Sequence, residues 1–288
     1  MSFGNFNRVN TNLQALSSQY SLNKINSRLA RYQYMLSTGL RINRAEDDAA
    51  GFSIAAKLSS RISGLEQAQR NTGDAKSMLD IAESGFNSIS DIMVEMKSLS
   101  VQAANDSLGA TERGHIKDQI EALSQEINEI ADQTSFQGTA LMDGASFTFQ
   151  VGEGTSSTKA VSIASSRADD FFSDTSAAIS AASDTTGITL TDATQGTFGT
   201  FLDDVDTAMN TLAGTINQLG IDQRSLSIRQ ENLTQAIAAN SAARSRIQDA
   251  DFARIQSESV KLQILQKTAT SALAQANTSP QYVLDFLG

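Results

Sequence analysis

The sequence predicts a mainly α chain: a long antiparallel helical coiled-coil bundle built from both chain ends, with a small β-hairpin region in the middle. Three observations carry this. Leu65, Ala68, Thr72, Ala75, Leu79, Ala82, Phe86, Ile89, Met93 and Met96 recur three and four residues apart, the spacing of a helix packed lengthwise on others. Val205, Met209, Leu212, Ile216 and Leu219 repeat that step near the other end. And Pro280 is the only proline, where average usage predicts about fourteen. Proline removes a donor and clashes with the preceding turn, so its depletion suits long uninterrupted helices.

Taken in order, Leu22, Ile25, Leu29, Tyr32 and Leu36 give an amphipathic helix over 10–38, and Gly39 stands where it would end. A short acidic connection over 45–51 leads to a helix over 52–104, about 75 Å long at ~1.5 Å per residue. Gly64, Gly73 and Gly85 interrupt it at up to ~1 kcal/mol each, which tertiary packing or a close backbone must offset. A turn over 105–114 precedes Ile116, Ile120, Leu123, Ile127 and Ile130, a third helix returning antiparallel along the second. Phe147, Phe149 and Val151, then Val161 and Ile163, alternate with polar residues around Gly152 and Gly154, the pattern of a hairpin. Residues 165–200 read as exposed irregular chain with a short strand at 188–190. Helix resumes over 201–248, and a last helix over 251–277 precedes Pro280 and the apolar end Tyr282, Val283, Leu284, Phe286 and Leu287.

Charge and composition exclude whole classes of function. The net charge of -10 divides as +5 over residues 1–70, -9 over 71–145, -6 over 146–205 and zero over 206–288. Arg28, Arg31, Arg41 and Arg44 lack an interleaved aromatic face, so no nucleic acid is expected. Opposite charge on different parts of one chain suits contacts between copies. There is no cysteine, and His115 is the one histidine, so thiolate sites, zinc helices and nucleophile–base pairs lack their parts. Glu46-Asp47-Asp48, Asp169-Asp170 and Asp203-Asp204 lack calcium-loop spacing; Asp203-Asp204, Asp249 and Asp251 read instead as charges at helix starts. No cofactor and no catalysis are expected. Residues 1–12 lack the apolar core of a secretory signal, and no apolar run reaches the ~18–20 residues that span a bilayer. These features alone would leave the chain in the cytoplasm.

The run Leu36-Ser37-Thr38-Gly39-Leu40-Arg41-Ile42-Asn43-Arg44-Ala45-Glu46-Asp47-Asp48-Ala49-Ala50-Gly51 resembles the N-terminal signature of bacterial flagellin. The likeness continues at Gly64-Leu65 and Gln69-Arg70-Asn71-Thr72-Gly73-Asp74. It returns at Ala243-Arg244-Ser245-Arg246-Ile247-Gln248-Asp249-Ala250-Asp251-Phe252, Gln263-Ile264-Leu265-Gln266, Ala274-Gln275-Ala276-Asn277 and Pro280-Gln281-Tyr282-Val283-Leu284. It implies a secreted, extracellular subunit of the flagellar filament, exported without a cleaved signal. Its terminal helices, 1–45 plus 250–288, would form a coiled-coil inner core. Residues 46–145 plus 201–249 would form a helical outer core, and 146–200 a short surface segment. The terminal helices are implied to order only on polymerisation. A junction protein between hook and filament shares parts of both ends, but departs from the Gln-Ile-Leu-Gln and Ala-Gln-Ala-Asn strings kept here, so it ranks as the alternative. A zinc protease carried in the variable region would need a histidine pair that His115 cannot supply.

The resemblance also distributes roles. Leu22, Ile25, Leu29, Leu36, Leu65, Leu79, Phe86, Ile89, Leu212, Ile216, Ile255, Leu262, Leu265 and Leu273 become polymerisation seams. Arg41, Asn43, Arg44, Asp47, Asp48, Arg244, Asp249 and Asp251 become locks at the helix junction, with Arg44 and Asp48 expected to couple. Val283, Leu284, Phe286 and Leu287 become a chaperone or terminal-core contact. Expected partners are further copies of the chain, other flagellins, the filament cap, hook-associated proteins and a secretion chaperone, with no membrane insertion. Family members sensed by a vertebrate Toll-like receptor carry a Leu-Gln-Arg-x-Arg-Glu-Leu-Ala-Val-Gln-like run. This chain matches at Leu99, Val101 and Gln102 and keeps Lys97, but has Glu95 for the first arginine and Gln119 for a glutamate on the next helix. Receptor activation is therefore not expected.

Overall fold

A computed structural model describes residues 11–172, 178–183 and 187–287, without the side chains of 181–183 and 279–287. Helices α1 (Leu13–Thr38), α2 (Ala49–Ala103) and α3 (Ala110–Gln133) are followed by two-residue strands β1 (Ser135–Phe136) and β2 (Thr139–Ala140). Then come β3 (Ser146–Gln150), β4 (Thr158–Ser162), α4 (Ala168–Phe171), β5 (Ile179–Ser183) and β6 (Gly187–Leu190), and finally α5 (Gln195–Gln248) and α6 (Phe252–Leu287). The strands pair antiparallel as β1–β2, β3–β4 and β5–β6. The predicted class is met. Two compact units result, one of Met1–Ile62 with Ala238–Gly288, the other of Ser63–Ile237.

In the second unit the predicted α2 seam is buried throughout, from Leu65 to Met96. Its one hydroxyl is satisfied locally, since Thr72 donates to the Ala68 carbonyl at 2.8 Å. α3 returns antiparallel: Arg113 donates to the Ala103 and Asn105 carbonyls, both at 3.0 Å, and straps the turn. α5 also runs antiparallel to α2. Gln69 meets Thr234 at 3.0 Å, Gln223 meets Glu83 at 2.7 Å, and Lys97 pairs with Asp206. The hairpin of β3 and β4 sets Phe147 opposite Val161 and closes on Val151 and Ile163, both buried. An ion pair at 2.8 Å between half-buried Lys159 and buried Asp222 ties β4 to α5.

Residues 165–200 depart from the expected exposed, irregular chain. Phe172, Ile179, Ile188, Leu190 and Phe198 are buried in the unit's core, and Phe172 stacks on Phe201 with ring centroids 5.4 Å apart. Polar side chains on one face of α3 serve backbone N–H groups here. Glu121 accepts from Leu190 at 2.9 Å, Ser124 from Ile188 at 3.0 Å, and Asn128 from Ala168 at 2.8 Å. Unpaired donors buried at a sheet edge would be costly, so Glu121 and Ser124 support the second hairpin, while Asn128 serves the start of α4. α5 begins at Gln195 rather than 201. Thr194 takes hydrogen bonds to Asp192, at 3.0 Å from its amide and 2.8 Å from its hydroxyl, and Thr197 donates to the same carboxylate. Asp203 and Asp204 therefore lie inside the helix and are not at its start.

Other boundaries move slightly. α2 starts at Ala49, within the expected connection, and α3 starts at Ala110, leaving a shorter turn and exposed His115 inside the helix. α6 passes Pro280 and reaches Leu287, beyond the expected stop at 277. Among the α2 glycines, Gly85 is explained by close approach: a Cβ would lie 2.8 Å from Met142 Sδ and 2.9 Å from Thr134 Oγ1. Gly73 faces open space.

Two glycine substitutions should therefore move stability in opposite directions. Gly187 has φ +77°, and a Cβ would fall 2.3 Å from Ser124 Oγ and 3.0 Å from the Gln125 amide. Gly187→Ala should destabilise the second unit by about 2 kcal/mol or more. Gly73→Ala should stabilise it by about 0.5–1 kcal/mol. Thermal unfolding of unpolymerised chain, followed by circular dichroism, reads both.

Candidate functional site

The sequence places its densest signature where both terminal helices break, and the structure brings those breaks together. α1 stops at Gly39, whose φ of +72° lets its amide reach the Met35 carbonyl at 2.9 Å, a left-handed cap suited to glycine. α5 stops at Gln248, and Asp251 caps α6 by accepting from the Arg254 amide at 3.1 Å. Between the two breaks run crossed backbone hydrogen bonds. The Arg41 amide donates to the Gln248 carbonyl at 2.7 Å, and the Ala250 amide to Gly39 at 2.9 Å, so Leu40 and Asp249 bridge as antiparallel strand would. Arg41 Nη2 adds a bond of 2.7 Å to the Ile247 carbonyl.

Asp47 organises the turn into α2. One carboxylate oxygen accepts from the Asn43 and Arg44 amides at 3.0 and 3.1 Å; the other pairs with Arg31 at 2.8 Å. Burial pushes this carboxyl's pKa up. The two amides and the guanidinium groups of Arg31 and Arg44 outweigh that and hold it below the usual carboxylate range. Asn43 also donates to the Leu40 carbonyl at 2.9 Å, and Asp48 caps α2 by accepting from the Gly51 amide at 3.0 Å. Arg44 lies over the Tyr34 ring, 5.4 Å from its centre. Among the described residues the ion pair at this turn joins Arg31 to Asp47, while Asp48 serves its own helix start. Arg244 reaches Ser59 at 3.4 Å.

Sequence reasoning missed Arg31, Tyr34, Ile42 and Gln248 as parts of the junction. One signal was present: Ile42 is a lone apolar residue in a charged stretch, and it is buried. A Cβ on Gly51 would fall 2.7 Å from Ile42 Cδ1 and 2.6 Å from Asp48 Oδ2, so only glycine lets both seat.

From this junction α1 and α6 run as an antiparallel pair, with Asn26 and Gln266 joined at 2.8 Å and Asn12 donating to Ala276 at 2.7 Å. Leu29, Met35, Ile255 and Leu262 are buried in this unit, while Leu22, Ile25, Leu36 and Leu273 are half-buried. Leu65, Leu79, Phe86, Ile89 and Leu212, expected as seams between copies, are instead buried in the subunit's own second unit, and Ile216 packs against that core. α2 must bury its seam within the fold, since residues of α3, α5 and the β3–β4 hairpin share its core. Other apolar residues on the chain ends stay exposed: Leu13, Leu16, Tyr20 at 72%, Val260, Ile264 and Leu265 at 42%. Val283, Leu284, Phe286 and Leu287 fall outside the residues with described side chains. Among the described residues no cluster could hold a metal ion, and no helix is long and apolar enough to cross a membrane.

The family pattern "Bacterial flagellin N-terminal helical region" matches residues 9–146, and "Bacterial flagellin C-terminal helical region" matches 202–287. The flagellin of Bacillus subtilis is 34% identical over 97% of this chain and 99% of its own length. The chain belongs to the bacterial flagellin family. The flagellin of Halalkalibacterium halodurans is 32% identical over the same shares, and that of Listeria innocua 30%. As a flagellin it is a structural subunit that polymerises into the exported filament of the flagellum and serves motility, not an enzyme.

The lowered Asp47 pKa fixes a sign. A depressed carboxylate contributes stability that is full above its unfolded pKa and is lost as pH falls through the folded value. Acidifying below about pH 4 should loosen the terminal pair, and Asp47→Asn should flatten that dependence. Filament length against pH, measured by light scattering on both proteins, checks it.

Proposed function

We propose that the α1–α6 pair is the assembly element, forming the inner core of the filament with its counterparts in other copies. The observation that carries this is the apolar residues left open on a pair that has already joined its other faces: Leu13, Leu16 and Tyr20 on α1, Val260, Ile264 and Leu265 on α6. Two helices alone bury too little to offset their ordering entropy. Copies that cover these stripes supply the rest, so ordering of the ends and polymerisation become one event. The junction over 39–51 and 247–252 then sets where α1 ends and α6 starts.

Charge supports the reading. A groove on the terminal unit is lined by Arg28, Arg31, Arg41, Arg246, Arg254 and Lys261, with Asp249, Asp251 and Glu258 as its acids. Residues 71–205 carry a net -15, a complement for such a surface on a neighbouring copy. On the same reading the partners include co-assembled flagellins, the filament cap, hook-associated proteins and a secretion chaperone that holds the apolar end Val283, Leu284, Phe286 and Leu287. The receptor-like segment does not act as an agonist: Glu95 is exposed with reversed charge, Lys97 is engaged by Asp206, Leu99 packs on the core, and Gln102 and Gln119 are exposed.

Negative-stain microscopy under salting-out conditions tests the assembly role. Full-length chain should form long tubes, and chain lacking residues 1–45 and 245–288 should not. Leu29→Asp and Leu265→Asp should abolish tubes while leaving the far-ultraviolet signal of the second unit. Tubes from either variant would refute the role given to the ends.

A further inference from the structure

We propose that Asn12 is the register lock of the terminal helix pair, supplying from α1 the hydrogen bond that Pro280 withholds within α6. The proposal rests on the reading of that pair as the assembly element and adds what fixes its alignment.

In an α-helix the carbonyl of residue 276 accepts from the amide of residue 280. Residue 280 is proline and has no amide hydrogen. Ala276 is 2% exposed, so water cannot replace that bond. Asn12 Nδ2 donates to this carbonyl at 2.7 Å. Its Oδ1 accepts from the Ala15 amide at 3.0 Å and caps α1. One amide therefore completes a defect in each helix. The two partners also fix its orientation, since a reversed amide would set donor against donor and oxygen against oxygen.

The apolar contacts do not set register by themselves. Leu22, Ile25, Leu29 and Leu36 repeat at three, four and seven residues, so a slip of two turns still meets apolar partners. The displaced Asn12 would meet carbonyls already bonded within α6, and Ala276 would be left buried and unpaired. A single polar residue that is satisfied in one alignment only is an established means of fixing helix register.

The test is a cycle on full-length chain. Asn12→Asp and Asn12→Ser keep an oxygen to cap α1 but lose the reaching donor; Pro280→Ala returns an amide to Ala276. The subunit concentration left in equilibrium with filaments, and amide exchange of 13–16 and 276–284 in those filaments, are measured for each. Asn12→Asp and Asn12→Ser should raise the residual concentration about tenfold, as expected for a buried acceptor left unpaired, and speed exchange at both ends. In the Pro280→Ala background the same changes should have an effect of about twofold or less. If Asn12→Asp fails to assemble, restoration by Pro280→Ala supports the lock and failure to restore overturns it. Unchanged exchange, or an equal loss in both backgrounds, overturns it. Faster exchange at unchanged residual concentration would keep the hydrogen bond but overturn its part in assembly, whereas tubes from chain without its ends would instead refute the reading beneath it.

Discussion

The arrangement of the terminal unit depends on a short antiparallel bridge between segments more than two hundred residues apart. Gly39, Leu40 and Arg41 exchange backbone hydrogen bonds with Gln248, Asp249 and Ala250. Helices joined this way must break at the same level, which is why a left-handed glycine cap faces an aspartate cap across the bridge. Backbone bonds are indifferent to side-chain fashion, so the site is positioned by where helices stop. Asp47 then fastens the chain on its way into α2, and Ile42 fills the space beneath.

The helices were readable because their burial is periodic. The α2 seam is buried at every position named from sequence, and Gly39 and Asp251 mark two of the true helix ends. What periodicity cannot tell is which copy covers a seam: Leu79, Phe86 and Ile89 look the same in sequence whether their cover is α5 or a neighbour. The second hairpin was hidden for another reason. Its strands are short and poor in large apolar residues, and β6 is held by Glu121 and Ser124 on a helix more than fifty residues earlier, with Asn128 of the same helix holding the start of α4. Those three sit among polar residues that local patterning assigns to a solvated face.

The junction shows the same division at smaller scale. The residues Arg41, Asn43, Asp47 and Asp48 were singled out by the resemblance of this stretch to a family signature, since a polar block after a helix stop reads equally well as a solvated linker. Their partners were not. Arg31 lies about two turns before the end of α1, and Gln248 reaches the site through its main chain, which carries no residue signature.

Among the described residues, the core of Ser63–Ile237 is built from side chains of that unit. Closure of the ends, in contrast, requires contacts at the largest sequence separations in the chain, which carry the greatest loop entropy and form slowly. The order of events is thereby written into the topology. A newly arrived subunit can complete its middle first and still hold its ends open, so adding it to a growing tube requires nothing already folded to come apart.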